Sequence, residues 1–120
     1  MQTGSLTLYR KEEMTMRLED KEYASRLLRA AITGADAYRK LMEGNAKNWN
    51  MDRFAFMDIL IMQVALAEIF TFPSIPTVVT LNEYVEIAKM YSTPKSGSFI
   101  NGMLDTIVNQ LKKENKLSKA

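Results

Sequence analysis

Between Phe54 and Phe70 only Asp58, Gln63 and Glu68 are strongly polar. A helix that is apolar on nearly every side cannot lie on a surface, so neighbours must cover most of it. This segment, read as residues 51–70 with Asn50 as its N-cap, therefore organises whatever fold the chain adopts. It is too long for a strand and falls short of the ~20 apolar residues that span a bilayer. Phe72-Pro73-Ser74-Ile75-Pro76 ends it, because each proline removes a donor and pushes the preceding residue toward extended geometry.

The rest of the chain supplies the cover. Over residues 20–43, Tyr23, Leu27, Ala30, Ala31, Ala35, Tyr38 and Leu41 recur at three- and four-residue steps and predict one amphipathic helix, with Asp20 as cap. Gly34 interrupts it at a cost of ~1 kcal/mol relative to alanine, marking a kink or a close approach, and Gly44 stands at C′. Thr80-Leu81-Asn82-Glu83 reads as a capping box stapled by Val79 and Tyr84, ahead of a face made by Leu81, Tyr84, Val85, Ala88 and Tyr91. Thr93-Pro94, or else Ser96, starts a last helix on which Ile100, Met103, Leu104, Ile107, Val108 and Leu111 keep the helical period. The expectation is an all-α bundle of about four helices over residues 20–111. Residues 1–19 are read as an extended or partly helical arm, and residues 112–120 as a basic tail.

With 120 residues and 47% hydrophobic content the chain makes one domain. It has no cysteine and no histidine, which removes disulfides, thiolate zinc sites, cysteine nucleophiles, the commonest metal ligand and the usual general base. Phosphate-binding glycine loops and nucleophile elbows are also missing, so no catalytic residue, metal or cofactor is expected. Asp58 and Glu68 stand ~15 Å apart along a helix, too far to share a substrate atom, and read as structural or interface charges. Met57, Met62 and Met103 read as core filling, Trp49 as a cap over the central helix, and the lysines at 112, 113, 116 and 119 as a solvated helix end. A net charge of +2 argues for no polyanion by itself. Phe99 stands on the first turn of the last helix after Lys95-Ser96-Gly97-Ser98, a setting that suits a nucleic-acid contact, although periodicity alone favours its partial burial. Without a membrane-spanning run or a signal peptide, a soluble cytoplasmic protein is expected.

Thr80-Leu81-Asn82-Glu83-Tyr84-Val85-Glu86-Ile87-Ala88-Lys89 followed by Phe99-Ile100-Asn101-Gly102-Met103-Leu104-Asp105 resembles the C-terminal signature of the NusB family. That signature reads N-E-[AY]-[VI]-E-[LI]-A-K, then F-[VI]-N-G-[VM]-L-D. Residues 20–28 and 53–68 also fit, so the resemblance covers roughly residues 20–111. It implies an all-helical, non-enzymatic bacterial factor for transcription antitermination. Such a factor pairs with NusE, a ribosomal protein, and holds boxA-type single-stranded RNA within the RNA polymerase antitermination complex. It implies RNA contacts at Lys95, Ser96 and Phe99, and partner contacts on the central helices at Arg53 and Asp58. Two departures stand out. Residues 1–19 do not match the arginine-rich helical half with which the family begins, so the chain resembles the C-terminal part of a longer protein or a reduced relative. Gln63 stands where many relatives have arginine. A NusB-like domain of an RNA cytosine methyltransferase is an alternative, although Leu104-Asp105 resembles NusB proper; a helical interaction module without RNA binding is another. Lacking the family's covering helices, Tyr23 and Leu27 are expected to be partly bare and the chain to self-associate.

Overall fold

The computed structural model describes residues 21–45, 55–93 and 95–119. They form α1 (Lys21–Thr33), α2 (Ala35–Gly44), α3 (Phe56–Thr71), α4 (Thr77–Tyr91) and α5 (Ser96–Lys113), with no strand among the described residues. The all-α expectation holds. Asp20, Trp49, Asn50, Arg53, Pro94 and the arm over residues 1–19 lie outside the described residues.

Among the described residues there is one helix more than expected because Gly34 divides the first helix instead of bending it. A Cβ at Gly34 would sit 2.5 Å from Cζ of Tyr38 and 2.8 Å from its hydroxyl, so the ring occupies the space a side chain would need. Tyr38 is buried and stacks on Phe70 of α3, with ring centroids 5.8 Å apart. Gln63 of α3 donates to the Ala31 carbonyl at 2.8 Å, tying the central helix to the end of α1.

Helix α3 is the core, as its composition demands: Ile61, Met62, Ala65, Leu66, Ala67 and Ile69 are all buried, covered chiefly by α1 and α4 and also by α2 and α5. Within this apolar helix Glu68 is fully buried. Its carboxylate accepts from the Tyr23 hydroxyl of α1, from Thr80 Oγ1 of α4 at 2.7 Å, and from the Tyr84 hydroxyl of α4 at 3.3 Å. Three helices are thus joined through one side chain. Burial first, and then the Glu68 charge, push the Tyr84 phenol above its usual range.

This network overturns the capping box. Helix α4 begins at Thr77, with Pro76 as N-cap at φ −60° and ψ 146°, and Thr80 and Glu83 are buried in its interior. Proline's fixed φ suits helix entry, and a buried carboxylate takes the Thr80 hydroxyl that was expected to serve the helix start. The inward face of α4 is accordingly Thr77, Thr80, Glu83, Tyr84 and Ala88, and Tyr91, expected on that face, is 66% exposed.

Other expectations also shift. Met62 and Met103 are buried, but Met57 is exposed on the first turn of α3, which starts at Phe56 with Ala55 as N-cap. Tyr23 and Leu27 are covered; the bare apolar residues of α1 are Leu28 and Ile32. Lys95, and neither Thr93 nor Ser96, is the N-cap of α5. Beyond α5, Asn115 adopts φ 58° and the Lys116 amide returns to the Leu111 carbonyl at 2.8 Å, the bond that closes a Schellman motif. The chain folds back there: Leu117 packs against the core, and Lys119 Nζ donates to the Phe72 carbonyl at 2.9 Å.

Candidate nucleic-acid interface

Helices α4 and α5 are joined by a short turn, which makes them antiparallel neighbours. Hydroxyls hold the turn in place. Ser96 Oγ, 1% exposed, accepts from the Thr93 amide at 3.1 Å, shares a hydrogen bond with Thr93 Oγ1 at 2.8 Å and donates to Ser92 Oγ at 3.0 Å. Ser92 Oγ in turn donates to Asp58 Oδ1 at 2.5 Å. One chain of hydrogen bonds therefore runs from the start of α5, through the turn, to the start of α3.

Of the three residues the resemblance marks for RNA, Lys95 is exposed at the start of α5, and Phe99 lies one turn on, half-buried against the core. Ser96 is turned inward, and its hydroxyl is used by the turn. The first turn of the helix brings a partial positive charge to the same place. Asp58, marked for partner contact, is 6% exposed and held by Ser92. Around it Phe56, Met57 and Leu60 are exposed.

A feature missed in the sequence lies beside Lys95 and Phe99. An open groove between α4 and α5 is lined by Asn82, Val85, Glu86 and Lys89 on one side and Gly97, Ser98 and Asn101 on the other. Gly97 was the available signal: a Cβ there would lie 3.0 Å from Lys89 Cγ, so glycine lets the two helices close at that level. Lys89 and Glu86 pair at 3.4 Å, both well exposed, an arrangement worth little to stability. Among the described residues no helix is long and apolar enough to cross a membrane.

The family model described as NusB family matches residues 3–109, so the likeness takes in most of the first segment, which the sequence reading left outside it. The transcription antitermination protein NusB of Salinibacter ruber is 34% identical over 99 residues, covering 82% of this chain and 62% of that protein. For the NusB protein of Chloroherpeton thalassium the figures are 32% over 109 residues, 91% of this chain and 52% of that protein. The chain thus spans between about half and two thirds of the length of these curated relatives. A solved structure of T. maritima NusB superposes with a TM-score of 0.70 at 31% identity, covering 82% of this chain and 72% of that one. Joined to the all-helical fold of the described residues and to the α4–α5 motif that resembled the family signature, these matches establish that the chain belongs to the NusB family.

Proposed function

We propose that the chain acts in transcription antitermination, binding boxA-type single-stranded RNA together with the ribosomal protein NusE, in the cytoplasm and without catalysis. The names of its curated relatives support the process. The observation that carries the RNA contact is the shared first turn of α5, where exposed Lys95 and half-buried Phe99 sit over a turn fixed by Ser96. Lys95 and the positive end of the α5 dipole are phosphate partners, and Phe99, anchored by its packing, is a stacking platform for a base. Ser96 acts by holding both in place. Asp58 serves the partner surface in the same indirect way: it fixes the start of α3, where Phe56, Met57 and Leu60 stand exposed.

The test is binding of boxA-like single-stranded RNA in the presence of NusE, with a thermal melt of each variant. Lys95→Ala lowers the slope of log affinity against log salt by about 0.7, one phosphate on a single strand. Phe99→Ala costs ~1–3 kcal/mol with little change in slope. Equal affinity and slope for the wild type and both folded variants overturns the assignment.

A further inference from the structure

Helix α5 carries two internal glycines, and each weakens a helix relative to alanine. Packing accounts for Gly97, which is buried against Lys89 and Val85 of α4. Gly102 has no such reason. It is exposed in mid-helix, and among the described residues nothing beyond its chain neighbours and the adjoining helix backbone lies within 4 Å of where its Cβ would be. Its one effect on the surface is to leave out a methyl group. Glycine in that setting suits the close approach of something from outside the fold.

The surroundings say what approaches. Ser98, Asn101, Gly102 and Asp105 follow the i, i+3, i+4, i+7 spacing and are all exposed, so they form one stripe along α5. Asn101 borders the α4–α5 groove, and Asn82 lines the same groove from α4. Neither carboxamide has a hydrogen-bond partner among the described residues. A carboxamide presents a donor and an acceptor side by side, the pattern that pairs with the edge of a nucleobase. Single-stranded RNA is read in this way, through unstacked bases. Val85 adds an apolar contact, and Lys89 and Glu86 neutralise each other, so the groove suits a base better than a phosphate. It also continues directly from Lys95 and Phe99 along the same helix.

We propose that the groove between α4 and α5 holds one unstacked RNA base whose edge is read by Asn82 and Asn101, and that bare Gly102 lets the attached sugar–phosphate lie against α5. The proposal rests on the RNA-binding reading above and gives it a base-specific subsite.

Gly102→Ala, Asn82→Ala and Asn101→Ala are compared with the wild type, Lys95→Ala and Phe99→Ala on short single-stranded RNAs that differ at one base at a time. Thermal melts accompany each titration. Gly102→Ala raises the melting temperature and weakens binding about tenfold, an opposition that a purely structural glycine cannot give. Asn82→Ala and Asn101→Ala flatten the preference at one RNA position and leave the salt slope unchanged. The proposal fails if the three groove variants keep wild-type affinity and preference, whatever Lys95→Ala and Phe99→Ala do. It fails equally if Gly102→Ala lowers the melting temperature, if the groove variants lose only NusE binding, or if the wild type binds none of the RNAs. Loss of binding in the groove variants with none in Lys95→Ala and Phe99→Ala supports the groove and removes the Lys95–Phe99 assignment.

Discussion

Replacing Glu68 alone, and replacing it together with its donors, should give opposite results. In Glu68→Leu the hydroxyls of Tyr23, Thr80 and Tyr84 remain in the interior without the carboxylate they serve. Each stranded hydroxyl costs ~1–3 kcal/mol. Tyr84 forms the longest of the bonds, at 3.3 Å, and the Tyr23 and Tyr84 hydroxyls also hydrogen-bond with each other, so both belong at the lower end. The sum is about 3–6 kcal/mol, a large part of the ~5–15 kcal/mol that holds a domain together. Combining Glu68→Leu with Tyr23→Phe, Thr80→Val and Tyr84→Phe removes both sides of every bond while nearly keeping shape, and should return stability to within ~1–2 kcal/mol of the wild type. Urea denaturation followed by circular dichroism measures both, provided the slope of the transition is unchanged. A cost below ~1 kcal/mol for Glu68→Leu, or a quadruple variant as unstable as the single one, refutes the reasoning.

Gly34→Ala forces a methyl group to within 2.5 Å of the Tyr38 ring and should cost ~1–3 kcal/mol in the same urea assay, less when Tyr38 is also shortened to alanine. The raised Tyr84 phenol gives a pH dependence: the unfolded chain loses this proton near pH ~10 while the folded chain keeps it. That contribution is therefore complete below pH ~10 and is lost as pH rises beyond it, so alkaline urea midpoints should fall less steeply in Tyr84→Phe. Exposed Leu28 and Ile32, one turn apart on α1, should make the chain associate as concentration rises, and Leu28→Lys with Ile32→Lys should abolish this in light scattering; a wild type that stays monomeric throughout counts against it.

Two elements were legible in the sequence for a physical reason. Helix α3 is apolar on almost every side, so most of it had to be covered, and only Phe56, Met57, Leu60 and Phe70 among its large apolar residues stay exposed; α5 keeps a strict period from Ile100 to Leu111, and all six of its marked residues are buried. In both, the local pattern and the tertiary demand agree. The break at Gly34 was half legible. The glycine was visible, and a helical side chain leans toward the N-terminus, so a ring four residues later at Tyr38 was in place to cover it.

The error on α4 has one cause, competition for a polar group by a partner remote in sequence. Thr80-Leu81-Asn82-Glu83 satisfies the local rule for a capping box, but Glu68 on another helix claims the Thr80 hydroxyl and shifts the helix start back to Thr77. At the candidate site Ser96 is engaged by its near neighbours Ser92 and Thr93, whereas Asp58 is held by Ser92 from a distant part of the chain. Asn82 and Asn101 stand apart in the sequence motif, and only the antiparallel packing of α4 on α5 brings them to one groove. A carboxylate embedded in an otherwise apolar helix was the signal present from the start. Such a group must recruit donors from whatever packs on it. The hydroxyls of the covering helices therefore have to be assigned to Glu68 before any local capping motif is read from them.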